Sequence, residues 1–142
     1  MVIVAAVDRS ARAPEVVEQA ERLAVAFDDE IHVVHVLSES EFVSLERTSV
    51  NNTGNALDMD RVREVAATVA DEAASSIDSP TETVGIVGDP SDRILEYADD
   101  QNARYIVVAS RKRSPAGKVL FGSVAQSVLL NAGCPVVVSA GQ

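Results

Sequence analysis

The chain has little lysine, a single cysteine, no tryptophan and no long apolar run. A membrane-spanning helix needs about 20 apolar residues, and no segment of the sequence approaches that length. The N-terminus shows no charged region followed by a signal-type apolar core. The one cysteine, Cys134, permits no internal disulfide, as is usual in a reducing compartment. We therefore expect a cytoplasmic protein that does not bind a membrane.

Basic residues are also scarce, and this limits the partners. Lys and Arg total 12 against 22 Asp and Glu, so the formal net charge is -10. Strong acidity with almost no lysine is typical of halophilic proteins, because salt screens the repulsion between their negative charges. We therefore expect a protein from a halophilic organism, with an ordinary acidic mesophilic protein as the alternative. The same charge argues against duplex nucleic acid as a partner.

Two kinds of apolar segment alternate along the chain. Five short runs rich in β-branched residues predict strands, and four longer segments with helical spacing predict helices. The strands are predicted at residues 2–8, 31–37, 83–87, 105–109 and 134–138, and the helices begin near Pro14, Leu57, Pro90 and Val124. Residues 38–56 are polar and predict a mobile loop. Continuous apolar strands indicate burial on both faces. The pattern therefore predicts one α/β domain over residues 1–142, a single doubly wound five-stranded parallel sheet with helices on both faces.

The strongest functional signal lies in residues 109–123, where four cations stand close together in an acidic chain. They include both lysines of the protein and are Arg111, Lys112, Arg113 and Lys118. Such a cluster attracts anions locally. Gly122 and Ser123 then precede an apolar helical pattern, and a helix N-terminus also favours anions. Both features predict a phosphate-like ligand.

The position of this basic loop in the predicted sheet supports the same interpretation. In open parallel sheets, ligands bind beyond the carboxyl ends of the strands, where the strand order reverses. For an assumed order of 3-2-1-4-5, that point lies between strands 1 and 4, which end at Asp8 and Ala109. Asp8 could accept hydrogen bonds from a ligand, or it could cap the turn after strand 1. The residues leave both roles open.

Other kinds of site find little support. A P-loop that ended at Gly117-Lys118 would need Gly and Ser or Thr where Lys112 and Val119 stand. His32 and His35 lie three residues apart on a strand, so they point to opposite faces and are expected to be structural. No carboxylate pair has a His or Lys placed to build an acid–base site.

Four segments carry a resemblance to a known family. They are the apolar first strand ending in Asp8 with Ser10 shortly after, His35-Val36, the turn Val87-Gly88-Asp89-Pro90, and VVASRKRSPAGKVLFGSVAQSVLLNAGCPVVV, which begins at Val107. Through them the chain resembles the universal stress protein family over essentially its whole length. The resemblance implies the strand order 3-2-1-4-5 and an adenine-nucleotide alpha-hydrolase-like fold.

The resemblance also implies a nucleotide site. Nucleotide-binding members carry Gly-x2-Gly-x9-Gly-Ser/Thr, whose glycines let the backbone approach the ATP phosphates. Gly122 and Ser123 match the end of this motif, whereas Ala109 and Lys112 replace its first two glycines. By resemblance, Asp8 and Val36 lie near the adenosine, and Val108, Ala109, Lys112, Gly122, Ser123 and Val124 lie near the ribose and phosphates. The implied cofactor is ATP with Mg²⁺.

Two functions remain open, and a true enzyme on the same nucleotide fold is a weaker third. The first is a stress-related regulatory module that binds ATP or another adenine nucleotide or anion, with at most slow hydrolysis because no base is evident. The second is a dimeric interaction protein that binds no nucleotide and uses the basic loop 111–118 to contact an unidentified protein. Since the family typically dimerises through its final strand, we expect a homodimer through residues 134–139, where an apolar edge needs a cover.

Overall fold

The computed structural model describes residues 1–53, 58–111 and 116–140, and all of their side chains except those of residues 49–53. Within this part the chain forms five strands and five helices. The strands are β1 (Val2–Ala6), β2 (Glu30–Leu37), β3 (Thr81–Val87), β4 (Ala103–Ala109) and β5 (Val136–Ser139). The helices are α1 (Ala13–Phe27), α2 (Glu39–Thr53), α3 (Met59–Ala74), α4 (Pro90–Asp100) and α5 (Ser123–Asn131).

The strands form one parallel sheet in the order β3-β2-β1-β4-β5. This confirms the predicted α/β class and the predicted strand order. The central strand β1 pairs on both sides, with Val4 opposite His32 of β2 and Ile106 of β4. The chain therefore leaves β1 in two directions, toward β2 and β3 first and toward β4 and β5 later.

Alternate residues of β1 face opposite layers of helices. Ile3 and Ala5 pack with buried residues of α1 and α3, whereas Val4 packs with buried residues of α4 and α5. None of the three has exposed surface. The edge strands β3 and β5 are mostly half-buried rather than buried on both faces as predicted, because each has a neighbour on one side only.

Helix α2 corrects the predicted loop at residues 38–56, of which 54–56 lie outside the described residues. The polar composition of the segment concealed a capping box at its start. Ser38 Oγ accepts from the backbone N–H of Glu41 at 3.3 Å, and Glu41 Oε1 in turn accepts from the N–H of Ser38 at 3.5 Å. Phe42 and Leu45 then anchor the helix against a cluster that includes buried Leu37. A short apolar stripe therefore holds a largely polar helix in place.

Gly85 allows α3 to approach β3 closely. A Cβ atom at this position would lie 2.2 Å from the carbonyl oxygen of Arg63 and 2.4 Å from the amide nitrogen of Ala67. Both atoms belong to the backbone of α3, so a side chain would require the helix to move. The glycine is thus needed for packing in the half of the sheet that carries α2 and α3.

The turn from β3 into α4 follows the local sequence. Gly88 has a φ of 146°, a region that favours glycine. Asp89 is the N-cap of α4, its side chain accepts from the N–H of Asp92 at 3.1 Å, and Pro90 opens the helix.

Among the described residues, no helix is long and apolar enough to cross a membrane.

Candidate functional site

The site is built where the chain leaves β1 and β4 in opposite directions. After β1 the chain enters α1, which packs on one face of the sheet, and after β4 it reaches α5, which packs on the other face. The two connections therefore diverge and leave a crevice at the carboxyl ends of adjacent strands. This is the topological switch point of an open α/β sheet.

A cavity of about 310 Å³ opens at this end of the sheet. Its walls are mostly apolar, and its polar groups lie just after β1, on β2 and at the start of α2. The apolar lining includes Val16, Val36, Pro90, Ile94, Val108 and Val124, and the polar lining consists of Asp8, His35, Ser38 and Glu41. An apolar pocket with a few convergent polar groups is the usual form of a small-molecule site.

A more open cleft of about 390 Å³ adjoins this cavity. Its lining includes the cations Arg12 and Arg111 and the start of α5 at Gly122 and Ser123. Four residues line both spaces, namely Asp8, Ala109, Val124 and Ala125. The cavity and the cleft are thus two parts of one elongated site, one largely apolar and the other basic.

Arg12 is fixed in the cleft by contacts with distant parts of the chain. Its Nη1 donates to Ser110 Oγ at 3.1 Å and to the carbonyl oxygen of Ala140 at 3.3 Å. A guanidinium carries five N–H donors, so other donors remain for an anion. The loop from β1 to α1 is thereby tied to the ends of β4 and β5.

The basic loop is held at both of its described ends. The N–H of Arg111 donates to the carbonyl oxygen of Leu120 at 2.7 Å, and the two residues form an antiparallel bridge. The bridge brings Arg111 beside the start of α5. A Cβ atom at Gly122 would lie 3.3 Å from Arg111 Cγ, so the glycine leaves room for that side chain.

The start of α5 presents unpaired backbone donors to the cleft. Gly122 is the N-cap and provides no side-chain cap, and the first intrahelical bond runs from the N–H of Gln126 to the carbonyl oxygen of Gly122. The amides that precede Gln126 have no acceptor within the helix. Together with the helix dipole they favour an anion at Ser123.

Asp8 caps the turn after β1 and also lines the site. Its Oδ1 accepts from the N–H of Ser10 at 2.8 Å. The residue is exposed and borders both the cavity and the cleft. One carboxylate oxygen therefore stabilises the loop while the carboxylate as a whole stays accessible, so the two roles considered for Asp8 are compatible.

The two histidines occupy opposite faces of β2, as their spacing predicts. His35 Nδ1 donates to the carbonyl oxygen of Val7 at 2.9 Å, so that Nε2 is the acceptor nitrogen of the neutral imidazole. His32 Nδ1 lies 2.7 Å from the Tyr97 hydroxyl on the other face, and burial with the nearby Glu82 charge raises the pKa of that tyrosine. No cluster of three metal-binding side chains occurs in residues 1–53, 58–111 or 116–140.

The structure brings seven of the eight predicted site residues around the crevice. They are Asp8, Val36, Val108, Ala109, Gly122, Ser123 and Val124. The eighth, Lys112, lies outside the described residues. The sequence interpretation missed Arg12 and Glu41. The capping-box spacing Ser38-x-x-Glu41 could have indicated Glu41. No local signal could have indicated Arg12, because it reaches the cleft through contacts with residues about a hundred positions away.

A third space lies on the far side of the β1–α1 loop. This groove of about 550 Å³ runs between that loop and α3. Arg9, Thr68 and Glu72 contribute to its lining. Asp8 lines all three spaces, and the groove also shares Ala13 with the cavity and Ser10 with the cleft. It lies away from the basic loop and from the start of α5.

Comparison with known proteins identifies the family. The model of the universal stress protein family matches residues 1–139, so the chain belongs to that family. It is 28% identical to a universal stress protein of Methanocaldococcus jannaschii, in an alignment of 143 residues that covers 96% of this chain and 79% of the relative.

Two solved structures from Archaeoglobus fulgidus extend the comparison. A universal stress protein of that organism is 31% identical, with a TM-score of 0.62 and 96% of each chain covered. The structure of a universal stress protein of the same organism in complex with dAMP is 25% identical, with a TM-score of 0.59, and 96% of this chain and 94% of that chain are covered.

Proposed function

We propose that the protein is a regulatory module that binds an adenine nucleotide, with the nucleoside in the apolar cavity and the phosphates in the basic cleft. The observation that carries the proposal is the continuity of these two spaces across Asp8, Ala109, Val124 and Ala125. A nucleotide has the same division into a flat, mostly apolar base and a charged tail. The site at the switch point of β1 and β4 has the matching polarity.

The phosphate end is supported by three groups that favour anions. Arg12 and Arg111 supply positive charge, and the start of α5 supplies backbone N–H donors. These groups lie in a chain of net charge -10, so an anion is attracted to this site and repelled elsewhere. Arg12 thus supplies donors to the cleft that Ala109, which stands in place of a motif glycine, also lines.

The dAMP complex of the Archaeoglobus fulgidus relative supports an adenine nucleotide as the ligand class. ATP with Mg²⁺ is the ligand we expect, and Asp8 is the carboxylate that borders the cleft. Mg²⁺ keeps several waters and binds substrate phosphates with one or two carboxylates, so it needs no cage of protein ligands.

We expect hydrolysis to be slow at most, because no histidine or lysine of the described lining stands beside the cleft as a base. We assign this module to the cytoplasm.

A homodimer through residues 134–139 completes the proposal. Strand β5 lies at an edge of the sheet, and its three valines, Val136, Val137 and Val138, are half-buried in the single chain. An apolar edge strand with unpaired backbone groups is covered efficiently by a second copy. Light scattering should give a dimer in high salt, and a monomer under these conditions would contradict this part of the proposal.

Equilibrium titration with AMP and ATP–Mg²⁺ tests the function, with Arg12→Gln as the test variant. A charge-assisted hydrogen bond contributes about 1.5–3 kcal/mol, so the substitution should weaken binding about tenfold to a hundredfold. Arg22→Gln, an exposed arginine on α1, removes the same charge away from the site and should change the affinity little. Thermal unfolding of both variants separates lost binding from lost stability.

Two results of that titration would count against the proposal. If the wild-type protein bound neither nucleotide, the nucleotide function would be wrong, and the interaction protein that uses the basic loop would be favoured. If Arg12→Gln and Arg22→Gln weakened binding equally, the anion would not lie in the cleft.

A further inference from the structure

Two hydrogen-bond acceptors line the cavity. Glu41 and His35 both line it, and an ionised carboxylate can only accept. His35 donates through Nδ1 to the carbonyl oxygen of Val7, so in the neutral imidazole the lone pair is on Nε2. This Nε2 is buried and has no hydrogen-bond partner among the described residues. A ligand beside these two groups satisfies them by supplying N–H donors.

Glu41 is held in place by the capping box of α2. Its Oε1 accepts from the hydroxyl of Ser38 at 3.2 Å and from the N–H of Ser38 at 3.5 Å. In the described part of the chain, no donor reaches its Oε2. The carboxylate is thus oriented through Oε1, and helix formation fixes this orientation before any ligand binds.

The lining residues indicate which end of a nucleotide meets Glu41. Arg12, Arg111 and Ser123 line the cleft but not the cavity, whereas Ser38 and Glu41 line the cavity but not the cleft. A nucleotide with its phosphates at the arginines therefore extends its base toward Glu41. The residues shared by both spaces are left for the ribose.

We propose that Glu41 is a specificity-determining residue that selects 6-amino purines over 6-oxo purines, an inference that rests on the proposed function. The exocyclic amine of adenine donates N–H groups, which a carboxylate oxygen accepts. Hypoxanthine and guanine carry an oxygen at the same position. A 6-oxo base held in the same orientation sets this oxygen against the carboxylate, and its N1–H donor lies one ring position away. A site that hydrogen-bonds one group rejects an analogue lacking it because its own buried polar atoms then lose their partner.

Isothermal titration with AMP and IMP tests this selectivity, since the two nucleotides share their ribose and phosphate and differ in the base at carbon 6. The wild-type protein should bind AMP about tenfold or more tightly than IMP. Glu41→Gln should bring the ratio close to one, because an amide accepts from the amine and donates to the oxo group. Glutamine also retains the capping box, so the helix is preserved.

Glu39→Gln is the matched control, because Glu39 lies in the same first helical turn, is exposed and does not line the cavity. It should leave the ratio unchanged. Equal affinity of the wild-type protein for AMP and IMP, or an unchanged ratio in Glu41→Gln, would overturn this inference and leave the proposed function standing. Failure of both nucleotides to bind would overturn the two together.

Discussion

His35 Nδ1 lies 2.9 Å from the carbonyl oxygen of Val7 and ties the end of β2 to the end of β1, one residue before Asp8. The imidazole is buried, with 4% of its surface exposed. A hydrogen bond in such surroundings stabilises the fold, and its loss would leave a buried carbonyl oxygen without this donor. The same contact sets the spacing of two strands whose ends border the cavity.

Replacing His35 should therefore lower stability in a way that depends on the lost donor. His35→Leu should reduce the free energy of unfolding by about 1–3 kcal/mol, because the carbonyl of Val7 loses its side-chain partner. His35→Asn keeps an N–H donor at the position of Nδ1 and should recover part of this loss. Urea denaturation measures both variants. An equal loss in the two would mean that ring packing, rather than the hydrogen bond, is what matters.

The capping box at Ser38 should account for part of the stability of α2. Ser38→Ala removes the hydroxyl that accepts from the backbone N–H of Glu41. The substitution should lower the free energy of unfolding by about 0.5–2 kcal/mol. Ser44→Ala, on the exposed face of the same helix, should have little effect. Urea denaturation followed by circular dichroism compares them, and equal effects of the two substitutions would contradict a capping role.

The ion pair of Asp29 and Arg104 should make stability depend on acid pH. Arg104 Nε donates to Asp29 Oδ2 at 2.5 Å and holds the pKa of that carboxyl below its ordinary value of 3.8. The unfolded chain therefore binds the proton first as pH falls, so this contribution is present above pH 3.8 and is lost as pH falls through the lowered pKa.

Asp29→Asn tests that dependence between pH 6 and pH 2. The variant should be less stable than the wild type at the upper end, and its unfolding free energy should fall less steeply toward acid. Asp28→Asn removes the same charge from the exposed neighbouring residue and should keep the wild-type slope. If the two variants gave the same acid profile, the ion pair would not be the cause.

Gly85 should tolerate no side chain while α3 keeps its position. Gly85→Ala would place a Cβ 2.2 Å from a backbone oxygen of α3, and overpacking of this kind costs about 1–3 kcal/mol or more. Gly133→Ala is the comparison, because its Cβ would lie 3.3 Å from a side-chain oxygen of Asp99, which can move. Urea denaturation should show a large loss of unfolding free energy for Gly85→Ala only. Equal losses would contradict the close approach of α3.

Much of the fold was predictable because its signals are local. The buried strands appear as apolar runs, and Asp89 with Pro90 marks a helix start within four residues. Helix α2 was not predictable from its polar composition, since Phe42 and Leu45 supply only a narrow apolar stripe against a cluster formed in the folded chain. The helical conformation of that segment therefore depends on long-range packing.

The site residues were likewise predictable only where their signals are local. Asp8 and Ser123 were predicted because strand ends and helix starts can be recognised locally. Arg12 was not, because its place in the cleft depends on Ser110 and Ala140, which only the folded sheet brings near it. Glu41 was missed because its helix was interpreted as a loop.

The most direct test of the central claim is an NMR titration of the isotope-labelled protein with AMP in high salt. Binding in the proposed site predicts saturable shifts of the backbone amides of Val36, Ala109 and Ser123, which lie around the cavity and the cleft. No shifts at saturating AMP, or shifts confined to Thr68 and Glu72 in the groove beside α3, would contradict the claim.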